Sequence, residues 1–222
     1  MADPVDVLLL AAHPLELAPF AKAWGPALRA EIGGLRVAAA SVGVGVFAAG
    51  AGAARAIMLE RPRTALLVGS YGLYPGRGAF ESLRLLIPSR ICAVDGATLA
   101  GRAAMPDVMR VAVEPARGLA EALAQRAPEA ARGTLATTAA FTIDDALAAE
   151  LARASGCDAE NLEAIAVALA CEDQAIPFAA VLACTNEVGS RGRAQWMQWK
   201  DGAAAATSRL VLGWLADGAP QL

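Results

Sequence analysis

Hydrophobic and polar positions along the chain form short continuous apolar runs that alternate with longer segments of helical spacing. Aliphatic runs of this length are typical of strands that are buried on both faces of a sheet. Two runs flanking Gly33-Gly34 indicate a hairpin. We therefore predict strands at residues 5–12, 64–70, 132–140 and 177–184, a further strand region at 82–94, and hairpin strands at 27–32 and 35–41.

Helices are predicted between these strands. Pro14 can begin a helix at its first position, and Pro62 marks the end of the second helix. The alternation of strands and helices predicts an α/β three-layer α/β/α sandwich with a central mixed, largely parallel twisted sheet, in one domain over residues 1–222. The predicted helices cover residues 14–24, 46–60, part of 106–128 with Leu119, Leu123 and Ala127 on one face, 143–154, 161–174, and 201–216 with Leu210, Trp214 and Leu215 inward.

Composition narrows the class of protein. Of the 222 residues, 56% are apolar and 18% are charged, which argues against disorder. A net charge of −3 and an aromatic content of 5% exclude a nucleic-acid partner and basic attachment to a membrane. One histidine and four dispersed cysteines predict no metal site and reduced thiols, as in a cytoplasmic protein.

Two glycine motifs follow strands. Gly43-Val44-Gly45 is similar to a dinucleotide fingerprint, but the next strand lacks the acid that would bind a ribose, so no cofactor is expected. The alternative is a tight turn with close helix–sheet packing. Gly69-Ser70-Tyr71-Gly72 lets a backbone approach a ligand at the carboxyl edge of the sheet, or forms an ordinary turn.

Polar side chains occur near other strand ends. Glu163 begins an otherwise apolar helix, where a carboxylate must be paired, capped or used in function. Glu16 lies in the first turn after the first strand, where the simpler interpretation is an acid that interacts favourably with the helix dipole. Asn186 follows a buried strand, where the simpler interpretation is a turn cap. With Ser70 and Phe141, these residues suit cleavage through a cationic, sugar-like transition state.

Six segments together resemble the nucleoside phosphorylase/nucleosidase superfamily of the purine nucleoside and uridine phosphorylase type. They are LLLAAHPLE, SVGVGVFAAG, VGSYGL, TTAAFTID, ENLEAIAVA and VLACTNEVG, in the family's order over nearly the whole chain. Within the superfamily, TNEVGSRGRAQW is most similar to the Ser-Asn run of futalosine hydrolases, which is followed by arginines and a tryptophan. The resemblance implies hydrolysis of futalosine to hypoxanthine and dehypoxanthine futalosine, a step of menaquinone biosynthesis.

The resemblance also implies roles for individual residues. Glu16 matches the acid that activates the attacking water, and Glu163 matches the acid that holds the ribose hydroxyls. Asn186 matches the family's general acid, an aspartate at the purine N7. The other positions implied are Thr185, which would orient Asn186; Leu162, where a methionine usually packs on the ribose; Phe141, near the base; and Ser70, Tyr71 and Gly72 in the VGSYGL segment.

Futalosine carries a benzoate far from its base. Arg191 or Arg193 could pair with this carboxylate, and Trp196 could stack on the ring. The alternative is a solvated loop with surface arginines. The resemblance further implies a homo-oligomer, with a dimer favoured.

Departures from the family pattern leave other functions open. An amide at Asn186 donates a hydrogen bond but transfers no proton, which favours inosine-like substrates over adenine nucleosides. Leu67 stands where phosphorylases carry an arginine, which favours water over phosphate as nucleophile. Leu162 and the loop at residues 76–79, which lacks the family's usual Gly-Asp, also depart from the family pattern. A catalytically weakened nucleoside-binding relative, a methylthioadenosine/S-adenosylhomocysteine-type nucleosidase and a phosphorylase are therefore the alternatives.

Overall fold

A mixed β-sheet forms the centre of the structure, a computed structural model in which residues 4–222 are described. Residues 1–3 of the predicted domain lie outside the described residues, and the single-domain organisation stays a prediction. The strands are β1 (Val7–Ala11), β2 (Arg29–Ile32), β3 (Leu35–Ser41), β4 (Thr64–Leu73), β5 (Leu85–Leu86), β6 (Arg90–Ala93), β7 (Ala112–Val113), β8 (Thr134–Thr137), β9 (Ala159–Asn161) and β10 (Phe178–Glu187).

Strand β4 is central to the sheet because it pairs with β1, β9 and β10. The strand order is β2-β3-β1-β4-β9-β8-β6-β7, and β10 pairs with both β4 and β5. β1 lies beside the first half of β4, and β9 lies beside its last two residues, while β10 runs parallel along its opposite edge. Pairs β1–β3, β1–β4, β4–β10, β6–β8 and β8–β9 are parallel, whereas β2–β3, β4–β9, β6–β7 and β5–β10 are antiparallel. The predicted mixed sheet is confirmed.

Helices flank the sheet and complete the predicted three-layer sandwich, which is also confirmed. In residues 4–222 no helix is both long enough and apolar enough to cross a bilayer. The helices are α1 (Ala18–Trp24), which follows a 3-10 turn at Pro14–Leu17, α2 (Val46–Glu60), α3 (Gly96–Leu99), α4 (Arg117–Arg126), α5 (Asp145–Ser155), α6 (Ala164–Asp173) and α7 (Gly192–Ala216).

Alternating side chains of the central strands build a separate core on each face. Leu8 of β1 packs with α2 and α6, whereas its neighbour Leu9 packs with α1, α4 and α7. Because successive side chains of a strand point to opposite faces, a continuous apolar run serves both cores. The helix residues that were predicted to point inward all belong to the second core. They are Leu119, Leu123 and Ala127 of one helical segment and Leu210, Trp214 and Leu215 of the last helix.

The structure corrects two predicted element boundaries near the strand ends. β4 continues to Leu73, so that Tyr71 and Gly72 lie in a strand rather than in a turn. The extension follows from β10, which pairs with β4 as far as Leu73. The last helix begins at Gly192 rather than at 201, so Arg193 and Trp196 lie on a helix and not on a loop.

Two other segments, each predicted as a single element, are divided in the structure. The segment predicted as a helix over 161–174 begins as strand β9, and α6 starts only at Ala164. The side chain of Asn161 accepts hydrogen bonds from the N–H groups of Glu163 and Ala164 at 2.7 and 2.8 Å, which caps the start of the helix. The strand region predicted at 82–94 divides into β5 and β6.

Candidate active site

A cavity of about 300 Å³ opens at the carboxyl ends of β1, β4 and β10. This volume lies at the lower end of the range for small-molecule sites. A larger, open groove of about 1260 Å³ shares none of its lining residues. Ten of the twelve site residues predicted from the sequence line the cavity: Glu16, Ser70, Tyr71, Gly72, Phe141, Leu162, Glu163, Asn186, Arg193 and Trp196.

Glu16 enters the cavity from the 3-10 turn after β1. Its Oε2 accepts a hydrogen bond of 2.9 Å from the backbone N–H of His13. Gly69 makes room for the carboxylate, because a Cβ at this position would lie 3.0 Å from Oε1. Burial raises the pKa of Glu16 to about 7, the His13 N–H opposes this, and the nearby negative charge of Glu163 adds to it. Glu16 can therefore exchange a proton near neutral pH.

Glu163 faces the same cavity from the start of α6 and is only 5% exposed. The backbone N–H of Gly45 donates to its Oε1 at 2.8 Å. Burial raises the pKa of Glu163, and the hydrogen bond from Gly45 opposes this rise. Gly45 has a φ of +83°, which a residue with a side chain rarely adopts. The glycine motif is thus a tight turn, and the turn also supplies a donor to the site.

Asn186 lies at the end of β10, directly opposite Gly72 of β4, which in turn lies opposite Glu160 of β9. A β-bulge between Cys184 and Asn186 changes the direction of the side chains here. The buried Thr185 hydroxyl donates to Asn186 Oδ1 at 2.8 Å, and Asn186 Nδ2 donates to the Glu187 carbonyl oxygen at 3.0 Å. These contacts orient the amide and leave its second N–H for a ligand.

Gly72 is required by the close approach of the Asn186 amide. A Cβ at Gly72 would lie 2.7 Å from Asn186 Nδ2 and 2.8 Å from a methyl group of Val188. We expect Gly72→Ala to lower the free energy of unfolding by about 1–3 kcal/mol, because the surroundings must shift. Chemical denaturation measures this loss.

A matched control for Gly72→Ala is Gly50→Ala in α2. A Cβ at Gly50 would lie 3.6 Å from Ala166, which is an ordinary contact. Because alanine favours a helix over glycine by about 1 kcal/mol, this variant should be neutral or more stable. Equal stability of the two variants would contradict the packing argument at Gly72.

Apolar side chains form the remaining walls of the cavity. Phe141 lies on the loop after β8 and is 52% exposed, and Leu162 lies between β9 and α6. Trp196 projects from α7, and its indole N–H donates to Ser70 Oγ at 3.3 Å. The cavity thus combines flat apolar surfaces with a few oriented polar groups, as small-molecule sites do.

The two predicted arginines occupy different positions. Arg193 lines the cavity from the first turn of α7. Arg191 does not line it, and its guanidinium pairs with the carboxylate of Glu187. Leu67, the residue at the phosphorylase arginine position, is 2% exposed in the core. Among the residues described as lining the cavity, Arg193 is the only arginine or lysine.

Glu160 is a cavity residue that the sequence interpretation missed. Its carboxylate accepts hydrogen bonds from the Tyr74 hydroxyl at 3.0 Å, from the Thr142 hydroxyl at 2.7 Å and from the Thr142 N–H at 3.0 Å. It thereby holds the loop that carries Phe141. A strand of three residues is too short to show alternation, so no sequence pattern marks Glu160. His13, which could contact a ligand or simply make a structural hydrogen bond in its turn, also lines the cavity. The other missed lining residues are Ala12, Val44, Thr142, Asn161 and Gly192.

Comparison with known proteins gives a family model and several similar structures. A model described as the phosphorylase superfamily matches residues 1–216. No curated protein sequence matches the chain.

Two nucleosidases and a hydrolase are among the similar solved structures. A 5'-methylthioadenosine/S-adenosylhomocysteine nucleosidase from Colwellia psychrerythraea, in complex with adenine, is 19% identical with a TM-score of 0.82, and the match covers 96% of this chain and 95% of that one. An aspartate-to-asparagine mutant of the Helicobacter pylori nucleosidase, with 5'-methylthioadenosine in its active site, is 15% identical with a TM-score of 0.84, at 97% and 100% coverage. The futalosine hydrolase of Helicobacter pylori is 14% identical with a TM-score of 0.83, at 96% and 98% coverage. At these identities the likeness establishes the fold.

Proposed function

Because this chain belongs to the phosphorylase superfamily, we propose that it is a cofactor-independent nucleosidase that hydrolyses the N-glycosidic bond of a purine nucleoside. The observation that carries the proposal is the meeting of Glu16, Glu163 and Asn186 in one cavity. The nucleosidases and the hydrolase among the similar structures support the same class of reaction.

Glu16 serves as the general base in this reaction. Its pKa of about 7 lets the ionised carboxylate take a proton from water at neutral pH. The hydrogen bond from His13 holds the carboxylate in place before substrate binds. Water is the nucleophile, since the described lining contains a single arginine and no lysine with which to fix a phosphate.

Glu163 and Asn186 stabilise the two charges that develop as the bond breaks. Positive charge grows on the ribose, and the Glu163 carboxylate opposes it while accepting a hydrogen bond from a ribose hydroxyl. Negative charge grows on the departing base, and the oriented Asn186 amide donates to the purine N7. Leu162 packs on the ribose and Phe141 on the base. Hypoxanthine is a better leaving group than adenine and needs only the hydrogen bond.

Futalosine is the substrate that the cavity supports best. Arg193 offers a cation for the benzoate carboxylate, and Trp196, held by Ser70, offers a flat surface for its ring. The products are hypoxanthine and dehypoxanthine futalosine, a step in menaquinone biosynthesis. Methylthioadenosine is the competing substrate, because nucleosidases that act on it share the fold.

A substrate panel tests the proposal. The protein is incubated with futalosine, inosine and methylthioadenosine, with and without phosphate, and the free base is measured. Release from futalosine in the absence of phosphate is the expected result. A requirement for phosphate would indicate a phosphorylase, and tight binding without release would indicate a non-catalytic relative. Faster release of adenine than of hypoxanthine would overturn the choice of substrate.

Arg193 gives a further test of the substrate. Loss of a hydrogen-bonded charge pair costs about 1.5–3 kcal/mol, so Arg193→Ala should raise the KM for futalosine by at least about tenfold. The KM for inosine, which lacks the benzoate, should stay within about twofold. Arg191→Ala is the matched control, because Arg191 pairs with Glu187 outside the cavity. Equal effects on both substrates would contradict the assignment of Arg193 to the benzoate.

The assembly and the cellular location belong to the proposal as well. A homodimer is supported by two exposed apolar side chains: Val44, which lines the cavity, is 58% exposed, and Phe47, in the first turn of α2, is 88% exposed. Patches of this kind often mark contacts between protein chains. We also keep the prediction of a cytoplasmic protein.

A further inference from the structure

One buried carboxylate in the wall of the cavity can accept a further hydrogen bond. Glu160 lies on β9, is 7% exposed and lines the cavity. Its Oε2 accepts two hydrogen bonds, from the hydroxyls of Tyr74 and Thr142, whereas its Oε1 accepts one, from the Thr142 N–H. Because each carboxylate oxygen has two lone pairs, these contacts leave one acceptor position on Oε1 for a ligand.

The contacts of Glu160 also decide what kind of ligand group can bind there. Three hydrogen bonds fix the carboxylate in one orientation and stabilise its negative charge. An ionised carboxylate accepts hydrogen bonds and donates none. The Thr142 N–H already donates to Glu160, so it does not offer itself to an acceptor on a ligand. This wall of the cavity therefore favours a ligand that presents an N–H group over one that presents a lone pair.

Glu160 and Asn186 lie on the two sides of one residue of β4. Gly72 pairs with Asn186 of β10 on one side and with Glu160 of β9 on the other, and all three residues line the cavity. Two strand spacings, about 9–10 Å in all, separate the backbones of β10 and β9 here. Gly72 between them has no side chain, and the loop that Glu160 holds carries Phe141. A flat, two-ring base can therefore lie between the amide and the carboxylate.

We propose that Glu160 selects 6-oxopurines, the class to which hypoxanthine belongs, by accepting a hydrogen bond from the N1–H of the base. This inference rests on the proposed function, in which Asn186 donates to the purine N7. A base held in this way turns the far edge of its six-membered ring, which carries N1, toward Glu160. Hypoxanthine has a hydrogen on N1, whereas the N1 of adenine has a lone pair that the carboxylate repels.

Inosine and adenosine test this role, because the two nucleosides differ only in the base. Glu160→Gln keeps the length of the side chain, and the hydroxyls of Tyr74 and Thr142 can turn to accept from the new amide. The ratio of kcat/KM for inosine to that for adenosine should fall at least about tenfold, since a hydrogen bond to a charged group is lost. An unchanged ratio would overturn the proposal. Selective loss of adenosine cleavage would also overturn it, because the carboxylate would then bind the 6-amino group.

Tyr74→Phe is the matched control for Glu160→Gln. It removes one of the three hydrogen bonds that hold Glu160 but leaves the carboxylate, and Tyr74 does not line the cavity. The ratio of the two substrates should stay that of the wild type. If Tyr74→Phe shifted the ratio as far as Glu160→Gln does, the position of the loop would set the choice of base, and the role of the carboxylate would be refuted.

Binding of free bases separates a failure of this inference from a failure of the proposed function, because it needs no turnover. In calorimetry the wild type should bind hypoxanthine at least about tenfold more tightly than 1-methylhypoxanthine, which has no N1–H. Glu160→Gln should reduce this difference. The expected binding without release of base from any nucleoside would remove only the hydrolase. Equal binding of the two bases by the wild type would overturn the role of Glu160 even in an active nucleosidase, and it decides the matter if Glu160→Gln fails to fold.

Discussion

Replacing Glu16 with glutamine is expected to lower turnover of the purine nucleoside by about 10²–10⁴-fold while leaving ligand affinity nearly unchanged. Glutamine has the shape of the carboxylate and can still accept the hydrogen bond from His13. It cannot take a proton from water, so only the chemical step is affected. Single-turnover kinetics and calorimetry with a non-hydrolysable nucleoside measure the two quantities separately.

Glu31→Gln is a matched control for Glu16→Gln, because Glu31 lies on β2 and does not line the cavity. This variant should turn over like the wild type. A fully active Glu16→Gln would contradict the role of Glu16 as base, whereas equal loss in both variants would indicate an effect of charge alone.

The pH profile supplies a second readout of Glu16. Because its pKa is about 7, kcat/KM should rise with pH up to about 7 and level off above it. The pKa of Glu163 is also raised, so two groups contribute to the acid limb of the wild type. In Glu16→Gln the residual activity should lose the inflection near 7.

The raised pKa of Glu16 should also affect folding stability, with a pH dependence opposite to that of the activity. A carboxylate whose pKa is raised in the folded state binds its proton more tightly there than in the unfolded chain. The contribution of Glu16 is therefore complete below pH about 4.5 and is lost as pH rises through about 7. Glu16→Gln should accordingly raise the melting temperature relative to the wild type more at pH 8 than at pH 4.

The periodicity of the chain predicted the central strands and the helices that cover them, because burial on two faces leaves a clear pattern. It did not predict the extension of β4 through Tyr71 and Gly72. The polar and glycine residues there resemble a turn, and only pairing with β10 keeps them extended. Strand β9 was missed for a related reason, since three residues carry no period.

A site residue could be predicted from the sequence where its side chain would be costly at that position without a partner or a function. A carboxylate at the start of the apolar helix α6, as at Glu163, is costly unless it is paired or used. Glu160 could not be found this way, because its partners, Tyr74 and Thr142, are far from it in sequence. The different positions of Arg191 and Arg193 follow from the start of α7, which the apolar pattern placed nine residues too late.

The second large effect is expected from Asn186→Asp, which should raise the release of adenine from methylthioadenosine by about 10²-fold or more. An amide can only hydrogen-bond to the purine N7, whereas a carboxylic acid can transfer a proton to it. Adenine is the poorer leaving group and gains most from this proton. The gain for hypoxanthine nucleosides should be smaller.

The local contacts favour a protonated aspartic acid at position 186. In the wild type Asn186 Nδ2 donates to the Glu187 carbonyl oxygen, so an ionised carboxylate there would face a second negative oxygen. Partial burial between Gly72 and Gly192 adds to the cost of ionisation. Thr185 would still donate to the other oxygen and keep the group oriented. The variant should therefore hold a proton at neutral pH, which its single O–H can redirect from the Glu187 carbonyl oxygen to the purine N7 when a nucleoside binds.

Initial rates of base release from methylthioadenosine and inosine, for the wild type, Asn186→Asp and Asn186→Ala, decide whether this residue sets base selectivity. Asn186→Ala removes the hydrogen bond and should slow both substrates. Asn186→Asp should move the ratio of the adenine rate to the hypoxanthine rate upward by at least tenfold. If both variants slowed both substrates equally, Asn186 would serve the packing against Gly72 and not the leaving group. A fast wild-type reaction with methylthioadenosine would show that adenine leaves without a proton from this position.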